Sequence, residues 1–340
     1  MLRIGLVGCG DISPMHLDAI TADPDVTLVG VTDVDEEART AAATAYGGTA
    51  FASLDELLDV GRLDVLHVCT PHYLHAPMAE QALAAGVNVL TEKPVARTLE
   101  EAAHLAEAAE ASPAMLGVCF QNRYNNTVVD LKRRLDEGRY GDIVSVRGEL
   151  RWHRDEAYYA RRPWRRTWRQ AGGGLLINQA IHTLDLMQWL AGGVVGVTGH
   201  AEQRAMRPPV EVEDTASIEL RLATASGREV EGLFFGTNTH DDNAPVVVEV
   251  RTERAVLRLE SDLTITEADG RVEVVAASGS GPEGRDYWGA SHALLIADFY
   301  RHVRSGTPFW LDAAEATPAL WILSEVYRQS GIDVDGEAAA

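Results

Sequence analysis

Lysine is nearly absent from this 340-residue chain, and positive charge as a whole is scarce. Of the 30 basic residues, 28 are arginine and only Lys93 and Lys132 are lysine; 51 residues are acidic, so the formal net charge is −21. A chain this acidic lacks the positive surface that general nucleic-acid binders and proteins held on anionic membranes need. Genome composition alone explains an arginine-rich chain, but if arginine has replaced lysine wherever either would serve, a lysine that persists is worth examining.

Long apolar runs and cysteine are also scarce. No stretch approaches the roughly 20 apolar residues of a membrane span, and the first apolar run is too short for a signal peptide. The three cysteines, Cys9, Cys69 and Cys119, are isolated from one another. We therefore expect free, buried thiols in the reducing cytoplasm. The sequence predicts no metal site, because no Cys/His spacing fits structural zinc.

The first 122 residues alternate between strand-like and helix-like segments. The strand candidates are nearly continuous apolar runs, as expected for parallel strands that are covered on both faces. Repeated βα units predict an α/β Rossmann domain over residues 1–122, with a doubly wound parallel sheet. The predicted strands are Arg3–Val7, Thr27–Thr32, Asp64–Cys69, Val87–Thr91 and Ala114–Phe120.

The pattern changes after residue 122. A helix and a strand lead into an Arg/Trp-rich irregular stretch that ends at Gly174, and a helix over Leu175–Leu190 follows. Long alternating strands come next, and two helices close the chain. This order predicts an α+β domain over residues 123–335, with a large, open, mostly antiparallel sheet that carries helices on one face.

A glycine-rich turn follows the first predicted strand. Gly8, Gly10 and Ser13 match the G-x-G-x-x-G/A pattern, with serine in the third place, directly before a helix. Such a turn presents backbone N–H groups and a helix N-terminus to a pyrophosphate. Asp33 ends the second strand. A carboxylate at this position accepts hydrogen bonds from both ribose hydroxyls of the adenosine. Together with Asp35 it would repel a 2′-phosphate, so the sequence favours NAD over NADP. The alternative is a structural turn with Asp33 as a helix cap.

Lys93 follows the fourth predicted strand, in the sequence Glu92-Lys93-Pro94. Ligands of open α/β sheets bind outside the carboxyl ends of the strands. A partly desolvated lysine beside a cationic nicotinamide can act as a base near neutral pH, and arginine cannot. The alternative is an ordinary surface lysine.

The third candidate element is the helix after Gly172-Gly173-Gly174. Asn178 and His182 lie four residues apart and share a helix face, and Asp185 could orient the imidazole of His182. A lone histidine on a helix is more often structural.

Taken together, these stretches resemble the Gfo/Idh/MocA oxidoreductase family over nearly the whole chain. The resemblance implies an NAD(P)-binding Rossmann domain and a second domain whose open sheet makes a dimer or tetramer. The form N-Q-A-x-H looks like a subgroup with nucleotide-sugar and sugar 3-dehydrogenases. Other matching stretches are Gln121–Tyr124, Pro163–Arg165, Glu211–Asp214 and Trp288 with Ser291-His292.

The resemblance also implies the site residues. Lys93 contacts nicotinamide and substrate, and it works with His182. Two positions depart from the family pattern: Asn178 replaces an aspartate and cannot take up a proton as a carboxylate would, and His72 replaces an asparagine. The implied catalytic residues are Lys93, His182 and Asn178; cofactor contacts are Gly8, Gly10, Asp11, Ile12, Ser13, Asp33, Thr70, Pro71, His72, His75, Glu92, Lys93, Gln121, Trp164 and Arg165; substrate contacts are Lys93, Arg123, Tyr124, Arg165, Asn178 and His182.

Residues 147–169 form a cationic stretch inside the acidic chain. Eight arginines stand against three acidic residues, with tryptophan and tyrosine interleaved. This composition suits carbohydrate stacking or the grip of a carboxylate or phosphate. A cofactor-covering arm or a subunit contact explains it equally well.

The sequence thus predicts NAD-dependent oxidation of a secondary alcohol on a sugar, sugar acid or cyclitol, by a homodimer or homotetramer that binds no nucleic acid or membrane. Two alternatives remain open: a non-catalytic NAD or sugar sensor, and an enzyme whose tightly held NAD cycles within one turnover, as in glycoside cleavage or epimerisation.

Overall fold

The computed structural model describes residues 1–278 and 291–334, which form two compact units. The first unit contains residues 1–121 and 291–317, and the second contains residues 122–278 and 318–334. Residues 291–317 therefore return to the first unit, whereas the sequence assigns them to a second domain over 123–335. Trp288, one of the family-matching residues, lies outside the described residues.

The first unit contains a six-stranded parallel sheet in the spatial order β3-β2-β1-β4-β5-β6. Its inner strands β4 and β5 are buried on both faces along almost their whole length, as their apolar sequences predict. The short edge strand β3 is not predicted, because three residues carry no periodicity. The strands are β1 (Leu2–Val7), β2 (Val26–Thr32), β3 (Thr49–Phe51), β4 (Val65–Val68), β5 (Asn88–Glu92) and β6 (Leu116–Cys119).

Five helices connect these strands, and capping boxes mark where two of them begin. Ser53 and Thr98 accept hydrogen bonds from the backbone N–H groups of Glu56 and Glu101, at 3.1 and 3.2 Å. Their capping-box sequences therefore act as helix starts. The helices are α1 (Ser13–Ala22), α2 (Glu36–Tyr46), α3 (Leu54–Gly61), α4 (His75–Ala84) and α5 (Leu99–Ala111).

Residues 291–317 cover the β6 edge of this sheet. The Val118 N–H donates to the Leu311 carbonyl at 2.9 Å, so the edge strand gains a partner. Phe299 and Phe309 pack where a Cβ on Gly117 would stand, within 2.9 Å of its position. Only glycine leaves room for these rings, which explains why the segment packs on the Rossmann unit.

The second unit contains an eight-stranded sheet in the order β14-β13-β12-β11-β7-β10-β9-β8. Only β7 and β10 pair in parallel. Burial alternates along β9 and β10, so one face is covered by helices and the other is exposed. The strands are β7 (Ile143–Arg151), β8 (Val194–Glu202), β9 (Thr215–Ala223), β10 (Glu229–Thr237), β11 (Val247–Thr252), β12 (Ala255–Glu260), β13 (Asp262–Glu267) and β14 (Val272–Val275).

The remaining helices differ from the sequence expectation in one region. The stretch predicted as irregular contains short helical segments, and the helix predicted from Leu175 begins with a π-helical turn over Leu176–Ala180. No helix of the described residues has both the length and the apolar character needed to cross a membrane. The helices are α6 (Asn126–Asp136), α7 (Glu156–Arg161), α8 (Trp168–Ala171), α9 (Ile181–Ala191), α10 (Ser291–Ser305) and α11 (Ala313–Gln329).

Candidate active site

The glycine-rich turn between β1 and α1 is shaped to receive a ligand at its backbone. Gly8 has φ +93°, and a Cβ there would stand 2.6 Å from the Cys69 carbonyl group, so no other residue fits. A Cβ on Gly10 would meet no atom within 4 Å, so its side of the turn is open. The Ser13 hydroxyl donates to the Gly10 carbonyl at 2.8 Å and closes the turn before α1. Asp11 and Ile12 lie in the same turn, partly exposed.

Asp33 is held beside this turn by two backbone groups. Its carboxylate accepts from the Cys9 N–H at 2.7 Å and from the Asp35 N–H at 2.9 Å. The cap of α2 is Asp35, which accepts from Glu37 and Ala38. Asp33 is therefore not a helix cap, and its carboxylate is positioned at the strand end.

Two buried polar atoms that follow β4 and β6 have no hydrogen-bond partner among the described residues. The hydroxyl oxygen of Thr70 and the side-chain carbonyl oxygen of Gln121 are buried and accept no hydrogen bond from the described residues. A buried polar atom without a partner costs about 1–3 kcal/mol, so such atoms mark places where a ligand can bind. Pro71 precedes a 3-10 turn over His72–Leu74.

Lys93 lies in a turn that is fixed from two sides. Its backbone N–H donates to Glu92 Oε2 at 3.2 Å, and the Pro94 carbonyl contacts His75 Nδ1 at 2.8 Å. The other nitrogen of His75 contacts the Thr70 carbonyl at 2.8 Å, so this buried imidazole joins the ends of β4 and β5. Lys93 itself is partly exposed. His75 and its neighbour His72, whose ring centroids lie 5.6 Å apart, support the turn from inside.

Glu92, a predicted cofactor contact, lies at the centre of a buried hydrogen-bond network. Its Oε1 atom accepts from His16 Nε2 at 3.0 Å and from His292 Nε2 at 3.2 Å. The Nδ1 atoms of His16 and His67 are 2.7 Å apart, and Tyr300 lies 2.8 Å from His67 Nε2. One arrangement of protons satisfies all of these contacts. Tyr300 donates to His67, His67 donates to His16, and His16 donates to an ionised Glu92. Local sequence patterns do not indicate these partners, because the residues are far apart in the chain.

Burial determines the charges in this network. Desolvation lowers the pKa of His16 and of His67, so both imidazoles are neutral. Burial alone would raise the pKa of Glu92, but the hydrogen bonds from His16 and His292 outweigh it and hold that pKa well below its usual range. One negative charge is therefore fixed beside the Lys93 backbone.

We expect the free energy of unfolding to fall as the pH drops below about 6.5, the ordinary histidine value. The folded-state pKa of His67 lies below that value, so the unfolded chain binds protons that the folded chain does not, and stability is lost as the pH falls. One histidine contributes a slope of at most about 1.4 kcal/mol per pH unit. Urea unfolding between pH 5 and 8 measures it. His67→Gln should flatten the slope, and the same change at exposed His104 should not; equal slopes in all three proteins would contradict the assignment.

In the second unit, a buried glutamate holds the start of the predicted catalytic helix. Glu213 accepts hydrogen bonds from the N–H groups of Gly174 and Leu176, at 2.7 and 2.8 Å, and from the Tyr327 hydroxyl at 2.9 Å. A Cβ on Gly174 would stand 2.0 Å from the Glu213 carbonyl oxygen, which explains this glycine. Desolvation raises the pKa of Glu213 to about 7, although the three hydrogen bonds oppose the shift.

Asn178 lies in the π-helical turn and His182 in the first turn of α9, and both are partly exposed. Such turns are rare and occur often at functional sites. The Asn178 amide donates to the Gly173 carbonyl at 3.3 Å. The sequence places Asn178 and His182 on one helix correctly, but it does not indicate the π-helical turn.

Arg123, a predicted substrate contact, forms an ion pair with Asp185, the predicted partner of His182. Arg123 is 2% exposed, and its Nε and Nη2 atoms donate to the two carboxylate oxygens of Asp185 at 2.8 and 2.6 Å. The guanidinium also stacks on Trp189, 4.8 Å from the ring centroid. Arg123 thus forms a buried ion pair, and Asp185, which was predicted to orient His182, binds this arginine with both carboxylate oxygens. Tyr124, next in the chain, is partly exposed.

Comparison with known proteins gives the class to which these features belong. Residues 2–120 match the model of an oxidoreductase family with an NAD-binding Rossmann fold. Residues 128–280 match the GFO/IDH/MocA C-terminal domain. The chain is a member of the Gfo/Idh/MocA family of oxidoreductases.

Three relatives show the range of this similarity. The WlbA dehydrogenase from Bordetella pertussis, solved with NADH and UDP-GlcNAcA, is 31% identical with a TM-score of 0.83, over 97% of this chain and 96% of that one. Glucose-6-phosphate 3-dehydrogenase of Bacillus subtilis strain 168 is 31% identical over 195 residues, 56% of this chain and 54% of the relative. Inositol 2-dehydrogenase of Rhizobium meliloti strain 1021 is 28% identical over 233 residues, 67% of each chain. The chain thus matches about half the length of the second protein.

Proposed function

We propose that this protein transfers hydride between NAD and a secondary alcohol of a sugar, sugar acid or cyclitol, with Lys93 as the acid/base. The observation that carries the proposal is the turn after β5, where Glu92 and His75 hold a partly exposed lysine at the carboxyl edge of the parallel sheet. The glycine-rich turn and Asp33 lie at the same edge. Ligands of such sheets bind there.

The residues of the first unit fit NAD. The open side of Gly10 and the N-terminus of α1 suit a pyrophosphate. Asp33, fixed by Cys9 and Asp35, has lone pairs left for ribose hydroxyls and would repel a 2′-phosphate, which supports NAD over NADP. The partnerless oxygens of Thr70 and Gln121 suit the polar edge of a nicotinamide.

Each chemical role has a residue of this chain. NAD, when bound, supplies the hydride acceptor. Lys93 in its neutral form takes the proton of the substrate hydroxyl, which arginine at this position could not do. His182 and Asn178 orient the hydroxyl groups, and Asn178 acts only by hydrogen bonding because an amide takes up no proton. Trp164 and Arg165 are proposed to contact cofactor or substrate.

We further propose a cytoplasmic homodimer or homotetramer built on the exposed face of the second sheet. Leu233 and Phe235 of β10 point to that face and are 54% and 39% exposed. Exposed apolar side chains on one sheet face suit a contact between copies of the chain. The three cysteines are free thiols, as expected in a reducing compartment.

A substrate panel tests the proposed function. The protein should reduce NAD with at least one member of a set of aldoses, sugar acids, sugar phosphates and inositols, measured as NADH absorbance. The same substrate with NADP should give a lower kcat/KM because of Asp33. A flat response across the panel from protein that binds NAD would contradict the proposal. NAD that co-purifies and does not exchange would then favour the closed-cycle enzyme, and exchangeable NAD the sensor.

A further inference from the structure

Two arginines of the second unit lie on aromatic rings in a single stack. Arg154 lies over Trp152 and Tyr158, with its guanidinium carbon 4.7 and 5.1 Å from the ring centroids. Arg165 lies over the same Tyr158 at 5.0 Å and over Trp164 at 5.3 Å. We call these five residues the arginine stack. Its rings hold two cations close together, and all of its members except Trp152 are partly exposed.

The arginine stack is joined to the helix that carries Asn178 and His182. Gln179, the residue after Asn178, donates from Nε2 to the Tyr158 hydroxyl at 3.0 Å. Its Oε1 atom accepts from Asn238 Nδ2 at 3.1 Å, and the Asn238 carbonyl accepts the Arg154 N–H at 2.9 Å. Two separate hydrogen-bond routes thus connect the stack to the π-helical turn.

The carboxylates around Arg154 are already engaged elsewhere. Glu149 binds both Arg147 and Arg151, at 2.8 and 2.9 Å. Asp155 caps α7 through a backbone N–H. The hydrogen bonds of the Arg154 side chain run from Nη1 to two neutral acceptors, the His153 carbonyl at 2.6 Å and Asn243 Oδ1 at 2.9 Å. Within residues 1–278 and 291–334, Arg154 therefore forms no ion pair, although the chain carries a large excess of acid.

We propose that Arg154, together with the Tyr158 ring, binds an oxyanion of the substrate: the carboxylate of a sugar acid or the phosphate of a sugar phosphate. This inference rests on the proposed function and names its substrate class. The two Nη1 hydrogen bonds and the flanking rings fix the guanidinium plane, and Nη2 remains as a donor. A fixed, planar guanidinium suits the recognition of carboxylate and phosphate, and its charge-assisted hydrogen bonds are strong. Gln179 ties this binding site to the helix of Asn178.

Arg154→Gln tests the site, with Arg147→Gln as the matched control because Arg147 lies on the adjacent strand β7 and pairs with Glu149. For glucuronate and for glucose 6-phosphate, we expect Arg154→Gln to raise KM roughly 10- to 100-fold, the size of a lost charged hydrogen bond, with little change in kcat. Activity on neutral myo-inositol or glucose should not change. The anionic sugar whose KM rises more in Arg154→Gln identifies the bound oxyanion as a carboxylate or a phosphate.

Calorimetric binding of glucuronate and glucose 6-phosphate in the presence of NADH separates this inference from the proposed function. If no sugar reduces NAD but one anion binds and Arg154→Gln abolishes that binding, the proposed function is wrong and the proposed anion site at Arg154 is supported. If neutral sugars are oxidised and neither anion is preferred over them, the proposed anion site is wrong and the proposed function is supported. The proposed site would also be contradicted if Arg154→Gln and Arg147→Gln had equal effects. It would be contradicted as well if Arg154→Gln lowered activity equally on neutral and on anionic sugars.

Discussion

Lys93→Ala is expected to lower kcat by about 10²- to 10⁴-fold, the usual contribution of a positioned acid/base. The affinity for NAD should change little, because the turn and the Asp33 carboxylate that fit the cofactor do not include this side chain. Steady-state turnover on the best substrate of the panel and NADH binding by fluorescence measure the two quantities.

The chain offers a matched control for this variant in its second lysine. Lys132 lies on α6 and pairs with Asp136 on the surface, four residues away. Lys132→Ala removes the same group and should leave turnover unchanged. If Lys93→Ala keeps near-wild-type turnover, Lys93 is not the acid/base.

Arg123→Ala is expected to lower the free energy of unfolding by about 3–5 kcal/mol, because it leaves the buried carboxylate of Asp185 without its partner. Urea unfolding near neutral pH measures the loss. Arg123→Met combined with Asp185→Leu should restore most of the stability, because it removes both charges and fills the space.

A surface arginine serves as the control for this second experiment. Arg133 on α6 is itself about half exposed and pairs with Asp130 and Glu137, so Arg133→Ala should leave the unfolding curve nearly unchanged. If Arg123→Ala folds as stably as wild type and only raises the KM of the substrate, then Arg123 is a substrate contact, as the sequence first indicated.

Local patterns predicted most of the first unit. Apolar runs located five of its six strands, because strand burial depends on the residues within each strand. The glycine turn and Asp33 were found for the same reason: their spacing is a local property of one βα unit.

The features that the sequence did not indicate all depend on distant partners. Glu92 meets His292 across 200 residues, and Glu213 meets Tyr327 across 114. The pairing of residues 291–317 with β6 depends on a single hydrogen bond and on two rings that fit against Gly117. No periodicity within a helix or strand records such contacts. The sequence predicted the candidate site residues of the family motifs, but it did not predict the groups that hold them in place.

Lys93→Arg tests the central claim most directly. Arginine keeps the positive charge at this position but does not release its proton in proteins. The rate of NADH formation in a single turnover, started by mixing substrate with the NAD-loaded protein, should fall in Lys93→Arg about as far as in Lys93→Ala. A rate near that of the wild type would show that charge alone suffices at this position, and it would contradict the assignment of Lys93 as the acid/base.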